Sequence, residues 1–136
     1  MKSNLKDTDR KVFIKDIPQL TWGEGFDNSF IRSAQLVLNS LGEEYSYKFL
    51  MGISGAAFRL HFHPDFCPSS ADSTVGFDVS SVLFPSLGYQ IAVSKIDGKS
   101  FKDIRSLYQK ITEQINRGIP MIAINLKVCP EWGIIT

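Results

Sequence analysis

Cysteine is scarce in this chain, and the two present, Cys67 and Cys129, stand far apart and outside any Cys-x-x-Cys spacing. A disulfide framework and a cysteine-rich zinc knuckle are both excluded on that count, and the cytoplasm is the default compartment. No apolar run approaches the ~18 residues that a membrane-spanning helix requires. The start, "MKSNLKDTDRKVF", is charged and lacks the hydrophobic stretch of a secretory signal. Charge of one sign is missing too. A formal net charge of +1, with Lys and Arg scattered, leaves no basic face for nucleic acid and no cationic patch for an acidic membrane. Neither repeats nor low-complexity segments occur.

What remains has the composition of an ordinary globular domain: 43% hydrophobic and 21% charged residues over 136 positions. That length suits one domain with a real core, spanning 1–136. The clearest element lies in "GFDNSFIRSAQLVLNSLG". Phe30, Ala34, Val37, Leu38 and Leu41 recur at helical spacing, and Gly42 supplies a stop. A second helix starts after Ser46 through "YKFLMGISG". A third follows Asp78, with Pro85 hastening its end. A fourth runs from Ser100, which with Asp103 resembles a capping box, along Phe101, Ile104, Leu107, Ile111 and Ile115 to Gly118. Period-two alternation in "AFRLHFHP" predicts a strand with Phe58, Leu60 and Phe62 on one face. "KVFIKDI" and "YQIAVSKI" are further strand candidates. "IPMIAINL" reads as a strand buried on both faces, and "EWGIIT" begins another. A chain stopping inside a strand reads as a domain shortened at its C-terminus.

Four features carry possible chemistry. Asp27, Asn28 and Ser29 are all residues that satisfy the orphan amides of a helix start, and a helix needs only one. Capping is the first reading, and a truncated cap costs about 1 kcal/mol. The same amides would also receive a carboxylate or other anion. In "HFHPDFC", His61 and His63 have the spacing of a metal-ligating pair, with Cys67 as a third ligand and Asp65 or Asp72 as a fourth. Alternation instead makes both histidines the solvent-facing half of a strand, beside Arg59, and that reading is preferred: no metal and no cofactor are expected. Cys129 is read as a small buried hydrophobe before it is read as a reactive thiol. Trp22 and Trp132 flank the two halves of a cleft; core packing is the first reading of both, and lining that cleft is the second.

The order of elements resembles a known family. A capped helix opens the domain at "FDNSFIRSAQLVLNSLGEEYSYKFLMGISGAAFRL". Later, "INRGIPMIAINL" carries a helix ending in Gly-x-Pro into an apolar strand, and "EWGIIT" follows. This is similar to the papain-like cysteine-nucleophile superfamily, specifically the bacteriocin-processing peptidases and the N-terminal domain of the butirosin-biosynthesis acyltransferase BtrH, over residues 20–136. The resemblance implies an α+β fold with helices on a mostly antiparallel sheet, although helix–strand alternation after Asp78 also permits an α/β sheet. It places the family's cysteine on Ser29 and its histidine on Glu131. The family's third residue would fall beyond Thr136.

Those replacements have a chemical consequence. A thiol is already partly ionised at neutral pH, whereas a serine hydroxyl depends on a well-placed base. Glu131 would serve only if burial raised its pKa substantially. The expectation is therefore a non-catalytic domain. It would bind a small acyl-, peptide- or aminoglycoside-like ligand, or a protein partner, through Asp27, Asn28, Trp22 and Trp132. Two alternatives stand beside it: an acyltransferase or amidohydrolase using Ser29 and Glu131, and a self-associating domain that completes its sheet with a second copy.

Overall fold

The computed structural model describes residues 12–21, 23–59, 76–95, 100–127 and 131–136. In chain order they form α1 (Ser29–Ser40), α2 (Tyr47–Ile53), a 3₁₀ turn (Ala56–Phe58), α3 (Ser80–Ser86), α4 (Phe101–Asn116), β1 (Met121–Ile124) and β2 (Trp132–Ile135). The two strands pair antiparallel with Met121 opposite Ile135 and Ile124 opposite Trp132. The architecture is mixed α+β.

α1 is the central element. Phe30, Ala34, Val37 and Leu38 are buried, as their spacing predicts, but so are Ile31, Ser33, Gln35 and Leu36. A helix covered on nearly every side lies inside the domain rather than on its surface. It packs against α2 on one side and against β1 and β2 on another. The core joins Phe30, Ile31, Ala34 and Leu38 of α1 to Leu50 of α2 and to Val79 and Leu83 of the α3 region. Leu41 is a correction. It is 41% exposed because it is the C-cap, where the helix has already ended. The stop itself is as expected: Gly42 takes a φ of +90°, and the Glu43 amide returns to the Leu38 carbonyl at 3.0 Å.

α2 begins where Ser46 accepts the Phe49 amide at 3.2 Å. It ends at Ser54 and Gly55, the latter at φ +78°. Asp78 accepts the Ser80 amide at 3.0 Å at the entry to α3, as its sequence position suggests. Ser100 departs from expectation. Its backbone is the N-cap of α4, yet its hydroxyl makes no capping hydrogen bond, so there is no capping box. Asp103 still lies in the first turn, where its charge complements the helix dipole.

Two strand expectations fail, and a third is covered by the described residues only at its start. Residues 12–17 do not form a strand, because Asp16 sits at φ +65° ahead of Pro18 and breaks any extended run. Phe58 belongs to a 3₁₀ turn instead of a strand, and the rest of "AFRLHFHP" from Leu60 lies outside the described residues. Residues 89–95 have no ladder partner among the described residues, and Ile91 and Val93 are exposed. Nor is β1 buried on both faces. Each of its residues is half-buried, although α1 and α4 both contact it, and β2 is its one ladder partner among the described residues.

Replacing Leu50 by Ala should lower unfolding free energy by about 2–5 kcal/mol, the usual cost of a cavity at a fully buried leucine. Leu41→Ala should change it by no more than roughly 0.5 kcal/mol. Urea denaturation of the two variants checks both values.

Candidate functional site at the start of α1

The run Asp27–Asn28–Ser29 is divided among three tasks. Asn28 is the N-cap: its backbone is extended at φ −81° and ψ 101°, and its side-chain oxygen accepts the Ile31 amide at 3.0 Å. Asp27, exposed, reaches back to accept the Gly23 amide at 3.0 Å. That bond braces the preceding loop, where Gly23 and Gly25 take positive φ, and Thr21 donates to Glu24 at 2.7 Å within the same turn. Ser29 is the first helical residue and does not cap. Only 4% exposed, its Oγ accepts the backbone N–H of Trp132 at 3.3 Å. This corrects the capping reading of Ser29. Cap identity follows backbone dihedrals, and the change from extended to helical falls at Asn28.

The bond from Trp132 to Ser29 joins the start of α1 to the start of β2 across 103 residues of sequence. Glu131 immediately precedes it, half-buried, with its carbonyl accepting the Asn125 amide at 2.9 Å across the hairpin. Asn125 takes φ +62°, the turn geometry that lets the chain leave β1. Ser29, Glu131 and Trp132, singled out from sequence, are thus brought together through the backbone. Trp132 is not an exposed cleft wall. Its ring meets Phe30 edge to face at 5.0 Å, and Phe30 in turn meets Phe84 at 6.3 Å. It is half-buried against the core.

Two residues at this junction were not apparent from the sequence. Tyr47 accepts the Asn28 backbone N–H on its phenol oxygen at 3.0 Å, and its ring meets Phe26 edge to face at 5.2 Å. Burial raises the Tyr47 pKa above its ordinary value of 10.0; the Asn28 amide opposes that, the Asp27 charge adds to it, and Arg32 opposes it. Arg32 lies over the Phe26 ring at 4.1 Å and donates from Nη1 to Gln35 at 2.6 Å. The single charged residue of α1 was the available signal for Arg32. For Tyr47, 19 residues from Asn28, there was no local signal.

One turn beyond Ser29, on the same side of α1, Ser33 is fully buried and its hydroxyl has no hydrogen-bond partner among the described residues. Trp22, Cys129, and the candidate metal ligands His61, His63 and Cys67, with Asp65 and Asp72, lie outside the described residues. Among the described residues, no cluster of His, Cys, Asp and Glu could hold a metal ion. Nor is any described helix long and apolar enough to cross a membrane. No family model matches the chain, and no match is found among the curated proteins or the solved structures.

Asn28→Ala should cost about 1 kcal/mol of stability, whereas Asn28→Asp should retain most of it, because the acceptor oxygen is kept. Thermal unfolding of the pair separates these outcomes. The Tyr47 phenol makes a second prediction. Its raised folded-state pKa means the stability it contributes is complete below pH 10 and falls as pH rises from 10 through the folded value. Tyr47→Phe should lose about 0.5–1.5 kcal/mol at neutral pH, by removing the acceptor for Asn28. It should also show a shallower alkaline loss in chemical denaturation from pH 9 upward.

Proposed function

We propose that the chain is a non-catalytic, papain-like domain of the BtrH N-terminal type. Its site at the junction of α1 and β2 receives a small acyl- or peptide-type ligand, or an extended segment of a protein partner presenting the same groups. The observation that carries this reading is the state of Ser29. It occupies the first turn of a buried helix, almost wholly covered, with its oxygen accepting a backbone N–H from β2.

A nucleophilic serine needs the reverse arrangement: an accessible oxygen whose proton is held by a base. The residue next to the contact is Glu131, and the histidines of this chain, His61 and His63, lie outside the described residues. An oxygen that accepts from an amide loses electron density, which weakens it further as a nucleophile. Recognition chemistry nevertheless remains. The Asn28 cap takes the Ile31 amide, and the Arg32 amide bonds to the Asn28 carbonyl at 3.0 Å. The amides of Ser29 and Phe30 are the remaining donors of that first turn, and a carboxylate or acyl carbonyl would reach them from the exposed Asp27 side. Asp27 and Asn28 border that position.

Intact-mass analysis after incubation with a fluorophosphonate and with an acyl thioester tests the absence of catalysis, using wild type and Ser29→Ala. Neither probe should add mass to either protein. One phosphonyl or acyl group on wild type alone would overturn the reading and make Ser29 an activated nucleophile. Titration with N-acetyl-diglycine, followed by amide NMR shifts, tests binding. The Ser29, Phe30 and Trp132 amides should move together, and unmoved signals there would remove the ligand from this site.

A further inference from the structure

α4 is the longest helix described, yet it is held only near its C-terminal end. Among the described elements it touches β1 alone, and Ile115 is its only buried residue among those whose side chains are described. Toward its N-terminus the apolar stripe continues uncovered. Ile104 is 47% and Tyr108 71% exposed, with Leu107 and Ile111 half-buried beside them. Positions 104, 107, 108 and 111 follow the i, i+3, i+4, i+7 pattern of one helical face. Helical stability in water comes mainly from packing such a face, so an uncovered one is a contact surface in waiting.

The charges along this stripe indicate what fits it. Asp103 and Lys110, both exposed, lie seven residues apart on the same edge of the face and carry opposite signs. In a two-fold antiparallel pair centred between them, Asp103 of one copy meets Lys110 of the other, and the contact occurs twice. The same register brings Ile104 of each copy beside Tyr108 of the other, and Leu107 beside its own counterpart near the two-fold axis. It uses the exposed N-terminal half of α4 and leaves the C-terminal half on β1. In a parallel pair the two like edges lie on opposite sides of the seam, so Asp103 of one copy does not reach Lys110 of the other.

We propose that the N-terminal half of α4 is the interface for an antiparallel dimer of this chain. The proposal is independent of the α1–β2 site, since no residue is shared. The seam is about ten residues long, so the dimer is weak and concentration-dependent rather than obligate.

Sedimentation velocity of the full chain, carried up to millimolar concentration, gives the first test: wild type should shift from monomer to dimer. Charge exchange then tests the register. Lys110→Glu alone and Asp103→Lys alone each create two like-charged contacts and should weaken self-association roughly tenfold. An equimolar mixture of the two variants restores both opposite-charge contacts in the heterodimer and should associate as wild type does. Tyr108→Glu, at an exposed site, should remain monomeric while far-ultraviolet circular dichroism shows its helices intact. A wild type that stays monomeric throughout, or a mixture no tighter than its components, overturns the proposal.

Discussion

The described structure depends on how the first turn of α1 is held. Three elements converge there: the loop ending at Asp27, the side chain of Tyr47 from α2, and the backbone of Trp132 from β2. None of these contacts is strong alone, since a net hydrogen bond contributes about 1 kcal/mol. Their weight comes from burial. Ser29 and the helix behind it are covered, so each polar group left without a partner would cost more than the bond itself supplies. The hairpin therefore cannot shift along α1 without leaving an amide or a hydroxyl unsatisfied. Phe30, between Trp132 and Phe84, adds apolar contact at the same point.

This arrangement links fold and function through one residue. A small hydroxyl at position 29 lets β2 approach the helix and gives its first amide an acceptor. The same contact covers the oxygen and engages it. A site that uses its serine to join helix and strand has little freedom to use it for acyl transfer. The proposed recognition role, which needs fixed donors and not a mobile nucleophile, would be served by that rigidity. The loop before α1 shares it: Asp27 and Thr21 close the two-glycine turn upon itself.

α4 shows the opposite condition. Its sequence has a clear apolar face, and the helix forms, but among the described residues only the portion near Ile115 meets the body of the domain. The segment from Tyr89 to Lys95 is similar. It is extended and apolar in pattern, and Tyr89 is anchored by its hydroxyl to Glu43 at 3.0 Å, yet Val93 is well exposed. Pattern records what a segment is able to bury. Whether a partner lies opposite is a separate matter.

Helices were legible because their determinants are local. Apolar residues three and four apart, Gly42 and Gly118 at positive φ after the last turns, and Ser46 before α2 all act within a few positions. β1 and β2 were also legible, as short apolar runs on either side of a turn. The failed strands at residues 12–17 and 89–95 had the same composition, but a strand exists only where a second chain segment supplies the ladder. The site divides in the same way. That Asp27, Asn28 and Ser29 surround a helix start could be read directly, because those side chains serve orphan amides. Which of them caps was decided by the backbone turning at Asn28. That Ser29 would meet Trp132, and Asn28 meet Tyr47, was decided by packing between residues distant in the chain. Sequence alone determined where helices begin and end and which residues are able to satisfy an amide. Only the tertiary structure decided which amide each one satisfies, because a long-range hydrogen bond depends on where the buried faces bring the backbone to rest.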